Sequence, residues 1–220
     1  MLRKEFEEAA IDYFYLLSRG YNSSSALDLV TARYQLTKFE RLALYRSIYP
    51  PEVAELRRSK TLLPRQVRGE ELIIDGFNVL TVVSSALMGE QLLLGVDGFV
   101  RDLSSLRRKV KVTPVLLSSL SITVMALARL KPSEVTFVFD SQISRSALAS
   151  TTAKDLLRNF DVKGTAILVR KADKTSIELK GVVCSADSVI LDRAERLFDL
   201  GGYLANIISP ENIFSLHVHG

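Results

Sequence analysis

Apolar and polar positions along the 220-residue chain follow two different periods, and the change from one to the other divides it in two. Near the start, Leu2, Phe6, Ala9, Ala10, Tyr13, Phe14 and Leu17 recur at the three- and four-residue spacing of one helix face. That spacing predicts an amphipathic helix over residues 3–18, stopped by Gly20. Ser25 followed by Asp28 reads as a capping box for a second helix, with Ala26, Leu27, Leu29, Val30 and Tyr34 continuing an apolar face. Thr37 followed by Glu40 reads the same way for a third, which Pro50 and Pro51 end. Residues 51–60 predict a short fourth helix, and residues 61–70, with Pro64, Arg65, Arg68 and Gly69, read as a linker.

From Leu72 onward, short continuous apolar runs alternate with helix-like stretches. Strands are predicted at residues 71–75, 134–139, 165–170, 181–184 and 203–208. Helices are predicted at 79–88, 98–110 and 114–130, and over two further stretches ending near Phe160 and Phe198. Strand and helix in alternation predict a layered α/β domain with right-handed crossovers, and runs without polar interruption predict a parallel sheet buried on both faces. The expectation is a small all-helical module over residues 1–62 and an α/β domain over residues 70–213.

Four of these runs end at or just before an aspartate. Residues 72–74 lead into Asp75-Gly76-Phe77-Asn78, residues 135–139 into Asp140, residues 166–169 reach Asp173 shortly after, and residues 182–184 reach Asp187. Carboxyl ends of parallel strands are where open α/β sheets hold ligands, so the pattern predicts four acids on one edge. Gathered carboxylates raise one another's pKa, and a hard divalent cation such as Mg2+ or Mn2+ relieves the conflict through oxygen ligands and retained water. The chemistry this points to is phosphodiester hydrolysis. Each aspartate taken alone has a plainer reading, as a helix cap or a turn residue.

The Asp-Gly-Phe-Asn core of residues 72–80, Phe137-Val138-Phe139-Asp140-Ser141, Ala172-Asp173, and Cys184-Ser185-Ala186-Asp187 with Ser188 together resemble the PIN domain superfamily, most closely its NYN branch. The motifs keep family order from about residue 71 to 208, and the spacing between the first two acids is similar to that of an archaeal group of PIN-like proteins with a helical N-terminal region. The resemblance implies a parallel sheet flanked by helices in three layers and a metal-dependent ribonuclease. It assigns Asp75, Asp140, Asp173 and Asp187 to Mg2+ or Mn2+, and Asn78 to positioning of substrate or water. It also implies kinship with flap nucleases, which leaves DNA cleavage open. Lys174 stands where the branch often has a second acid, with Glu178 only later. That departure favours a competing reading, a non-catalytic nucleic-acid- or protein-binding protein with a degenerate PIN-like domain.

Charge adds candidates for phosphate contact. Lys and Arg total 29 against 25 Asp and Glu, a mild excess consistent with a polyanionic partner such as RNA. Arg145 follows the second acid near a helix start expected at Ser144, Arg107, Arg108 and Lys109 end the predicted 98–110 helix, and Arg65 and Arg68 join Arg57, Arg58 and Lys60 before the first strand. Asp97 and Asp102 read as dipole-compensating acids at a helix start, with Asp102 also a candidate fifth carboxylate. The second and third helices form either a helix-turn-helix that would bring Arg33, Lys38, Arg41 and Arg46 to DNA, or a hairpin that docks RNA or a second subunit, the latter making a homo-oligomer.

Several classes are excluded. No glycine-rich phosphate loop with its lysine, paired-cysteine motif or nucleophilic serine in a tight glycine turn is present. A single Cys excludes an internal disulfide, and with five charges in the first ten residues no signal peptide is read, so a cytoplasmic protein without membrane contact is expected.

Overall fold

In the computed structural model, which describes residues 3–103, 110–216 and 218, a helical region precedes a four-stranded parallel sheet wrapped by helices, and a second, small sheet lies between them. The helical region comprises α1 (Lys4–Ser18), α2 (Ser23–Tyr34), α3 (Lys38–Ser47) and α4 (Pro51–Ser59). Phe6, Tyr13, Leu17, Leu27, Leu44 and Ile48 fill its core. Thr37 and Glu40 form the predicted reciprocal capping box, and Glu40 is also gripped by the Arg3 guanidinium at 2.5 and 2.9 Å. For α2 the expected cap at Ser25 is corrected to Asn22, whose Oδ1 accepts from the N–H groups of Ser24 and Ser25; an amide that satisfies two orphan donors starts the helix a turn early. On the outer face Arg33 pairs with Asp12 and Arg41 with Asp28, so these two of the proposed DNA-facing cations are engaged inside the region.

The main sheet has the order β5-β4-β1-β6, with β1 (Glu71–Asp75), β4 (Glu134–Asp140), β5 (Gly164–Val169) and β6 (Val182–Cys184) all parallel. Side chains alternate across it. Leu72, Ile74, Phe137 and Phe139 face α5 (Gly76–Leu87), α6 (Pro114–Leu130) and α7 (Ser146–Asn159), while Ile73, Val138 and Val183 face α8 (Ala172–Glu178) and α9 (Ser188–Arg193). Gly76 is required by this packing, because a Cβ there would overlap the Phe139 ring, which already meets Phe77 edge-on at 5.0 Å. Gly76→Ala is therefore expected to destabilise the fold by roughly 1–3 kcal/mol in urea unfolding. A change below about 0.5 kcal/mol would show that the ring yields freely.

The second sheet was not legible from the residues. It joins β2 (Leu92–Leu94) to β3 (Val100–Asp102) antiparallel and to β7 (Ile213–Ser215) parallel. The helix expected over residues 98–110 is corrected: its first part is β3, reached through a turn with Gly98 at φ +86°, and residues 104–109 lie outside the described residues. Leu93 packs into the helical-region core and Leu92 packs toward α5 and α10 (Leu200–Ile208), so alternation along one short strand binds the two cores together. The strand expected at 203–208 is helix α10, capped by Asp199, with Gly201 and Gly202 permitting close approach to Val82 and Val100. The helix expected to reach Phe198 stops at Arg193, since Leu197 bridges Val183 and Thr61 instead. No helix among the described residues is long and apolar enough to cross a membrane.

Candidate active site

β1 and β6 are neighbours, yet the helices that follow them leave toward opposite faces. Val79, Leu80 and Val83 of α5 pack with Leu72 and Ile74, whereas Ile190 and Leu191 of α9 pack with Ile73 and Val183. The divergence opens a crevice at the carboxyl ends of the two strands, the position at which such sheets bind ligands.

Asp75 stands at the N-cap position of α5 but makes no capping bond. Its Oδ2 accepts instead from the Ser185 hydroxyl at 2.8 Å, and Ser185 Oγ accepts from the Asp187 N–H at 3.1 Å. Asn78 Oδ1 accepts from the Ala186 N–H at 2.8 Å, which fixes the orientation of the amide and leaves its two N–H donors for a ligand. These bonds stitch the end of β1 to the turn after β6. The other acids keep structural duties as well: Asp187 Oδ1 caps α9 through Val189 and Ile190, and Asp140 Oδ1 accepts from the Gln142 N–H at 2.8 Å. The plain reading therefore describes part of what Asp187 and Asp140 do and fails for Asp75.

Electrostatics ties the four together. Burial first, and then the neighbouring charges of Asp173 and Asp187, push the Asp75 carboxyl up to about 7 against the Ser185 hydrogen bond. Asp173, in the first turn of α8, is raised by partial burial and then by Asp187 and Asp140. Carboxylates that perturb one another occupy a single region of the sheet edge. Among the described residues, no three Asp, Glu, His or Cys side chains are spaced to enclose an ion directly. The donors are all oxygen, which suits a hard cation that keeps part of its water.

Beside this edge, Asn78 and Asp187 also line a polar cleft with Arg46, Tyr49, Thr81 and Asp102. Asp102, on β3, accepts from the Ser85 hydroxyl at 2.8 Å. Tyr49 carries no sequence signal of a role here, Ser185 is read only as part of the motif before Asp187 and Arg46 only as a cation of the helical module; tertiary contact brings them to Asp75, Asn78 and Asp187. Glu178 is turned toward Lys174 at 3.4 Å on the exposed face of α8.

The basic candidates separate. Arg145 is exposed at the start of α7, on the same sheet edge as Asp140, with its own backbone at φ +62°; it occupies the N-cap position, one beyond the expected Ser144 cap, and the helix begins at Ser146. Arg65 and Arg68 precede the amino end of β1 and so lie toward the opposite edge from the acids. Arg107, Arg108 and Lys109 lie outside the described residues. Arg57, Arg58 and Lys60 do not flank the acids. Arg57 is buried between Asp97 and Asp192 at 2.7 Å from each, Arg58 donates to the Val96 carbonyl, and Lys60 donates to the Leu191 carbonyl.

A family model described as "Domain of unknown function (DUF5616)" matches residues 64–203, well over half of the chain. The chain belongs to the DUF5616 family. The DUF5616 match takes in all four aspartates, Asn78 and Ser185, and a second model, "Protein of unknown function (DUF434)", matches residues 5–60 of the helical region. An uncharacterized protein of Methanocaldococcus jannaschii is 28% identical over 185 residues, covering 84% of this chain and 88% of that protein. No solved structure matches.

The raised Asp75 carboxyl makes a pH prediction for the metal-free DUF5616 chain. Folded Asp75 holds a proton up to about pH 7, whereas the unfolded side chain releases it near its ordinary 3.8, so stability is expected to fall as pH rises through that window. Asp199, half-buried and pushed up to about 6 chiefly by desolvation, adds in the same direction. Glu40, held down to about 2 chiefly by Arg3, loses its contribution only in more acid solution. Urea unfolding in chelator should show lower stability at pH 8 than at pH 5.5, by on the order of a few kcal/mol. A flat or opposite profile would contradict the assignment.

Proposed function

We propose that the protein is a Mg2+- or Mn2+-dependent endoribonuclease that hydrolyses RNA phosphodiesters at the carboxyl edge of the parallel sheet. The observation that carries this reading is Asp75, an acid at a cap position that declines to cap, is buried, and shares its field with Asp173 and Asp187. The resemblance to the PIN superfamily, carried by the motifs around these acids, supports the same fold assignment and the same chemistry. Asp75, Asp140, Asp173 and Asp187 would hold the cation. Bound there, it supplies a water of lowered pKa and neutralises charge building on the phosphate. Asn78, anchored by Ala186, presents N–H donors to the substrate; Ser185 fixes the Asp75 carboxyl; Arg145 balances phosphate charge at the Asp140 side.

Purified protein is expected to cut single-stranded RNA with Mg2+ or Mn2+ and to lose that activity in chelator, and either ion should raise Tm. The second reading, a binder with a degenerate domain, draws on Lys174, which stands beside Asp173 where an acid would be expected and pairs with Glu178 on the exposed face of α8. Salt-sensitive RNA binding with neither metal-induced stabilisation nor cleavage would favour it.

A further inference from the structure

The polar cleft next to the acids has two walls from different parts of the chain. One is the candidate site itself, through Asn78, Thr81 and Asp187; the other comes from the helical region, through Arg46 in the last turn of α3 and Tyr49 just after it. We propose that Arg46 binds a phosphodiester of the RNA adjacent to the one that is cut, making the helical region part of the substrate site. This rests on the ribonuclease reading and adds to it a residue outside the sheet domain.

Three observations support it. Arg46 is exposed at the mouth, and the cleft it lines is continuous with Asn78 and Asp187, so a strand seated on the acids passes it. The wall that carries Arg46 is fixed. Arg57 of α4 binds Asp192 of α9 at 2.7 Å, Lys60 donates to the Leu191 carbonyl at 2.7 Å, and Tyr49 stacks its ring on the Arg57 guanidinium at 3.9 Å. These contacts hold the helical region to the helix that begins at Asp187, so the distance from Arg46 to the acids is set before substrate arrives. The Asn78 amide lines the same cleft and adds N–H donors that suit a phosphate.

The test compares wild type, Arg46→Ala, Arg46→Glu, Arg46→Lys and, as a remote surface control, Arg158→Ala, using a fluorescein-labelled single-stranded RNA. Anisotropy in chelator reads binding without cleavage; steady-state kinetics with Mn2+ read KM and kcat. Arg46→Ala is expected to weaken binding about tenfold, as loss of one charge-assisted contact would, and to reduce the salt slope by about one. KM should rise more than kcat falls, Arg46→Glu should be worse, Arg46→Lys should recover part, and the metal-induced rise in Tm should persist in all of them. Wild-type binding, salt slope and KM in Arg46→Ala and Arg46→Glu would overturn the proposal and leave the ribonuclease reading intact. A wild-type protein that binds RNA but never cuts it with either metal would instead overturn the ribonuclease reading, and the Arg46 proposal with it.

Discussion

Asp97→Ala is expected to lower unfolding stability by about 3–5 kcal/mol, the largest single-site effect anticipated for the fold. Asp97 is fully buried and accepts from Arg57 at 2.7 Å and from both terminal nitrogens of Arg101 at 2.8 and 2.6 Å. Burial alone would raise its carboxyl, but the Arg101 and Arg57 guanidiniums outweigh that and hold it below the usual range. Removing it leaves two buried cations facing each other under the Tyr49 ring, which lies 3.9 Å from one and 5.2 Å from the other. The attraction of cation for ring does not replace a lost anion. Asp97→Asn keeps the shape and should be intermediate. A combined Arg57→Met, Asp97→Leu, Arg101→Met replacement should recover much of the loss, because an apolar trio needs no partner. Urea unfolding of the series decides it; a loss under about 1 kcal/mol for Asp97→Ala would mean that water enters and solvates the pair.

Asp75→Asn is expected to have the opposite signature. Metal-dependent RNA cleavage should fall by more than the about 10–100-fold typical of losing an outer partner of a bound metal, and metal-induced stabilisation should disappear. In chelator at pH 8, however, the variant should be at least as stable as the wild type, since it removes a buried acid that must ionise there. Its decline in stability with rising pH should flatten too. A structural acid would behave otherwise: its loss would lower stability and leave metal binding alone. If Asp75→Asn cuts RNA at the wild-type rate, the activity belongs to a contaminant.

Local signals carried much of the fold into view. The Thr37–Glu40 capping box, α6 at Pro114–Leu130 and β1 at Glu71–Asp75 were legible because each is decided by residues a few positions apart: a hydroxyl and an acid three residues apart, a long apolar periodicity after Pro114, an unbroken apolar run. The four strand-end aspartates were legible for the same reason, as were the cap duties of Asp187. Failures fell where a distant partner decides. Residues 100–102 carry helix-compatible spacing but extend because β2 offers a ladder, and 203–208 alternate briefly yet coil because Asp199 caps them and Gly201 and Gly202 let them close on α5 and β3.

By itself, then, the order of residues determined where an α/β layer would form, that a helical region would precede it, and which acids would stand at strand ends; period and local hydrogen bonding suffice for that. Tertiary structure alone decided that Asp75 would forgo its cap for Ser185, that Arg57 and Arg101 would be spent on Asp97, and that Arg46 would share a cleft with Asn78 and Asp187. Asp75 and Ser185 are 110 positions apart along the chain, and Arg46 and Asp187 are further apart still. A charged side chain has many candidate partners at such distances, and only the burial and closure of the folded chain select among them.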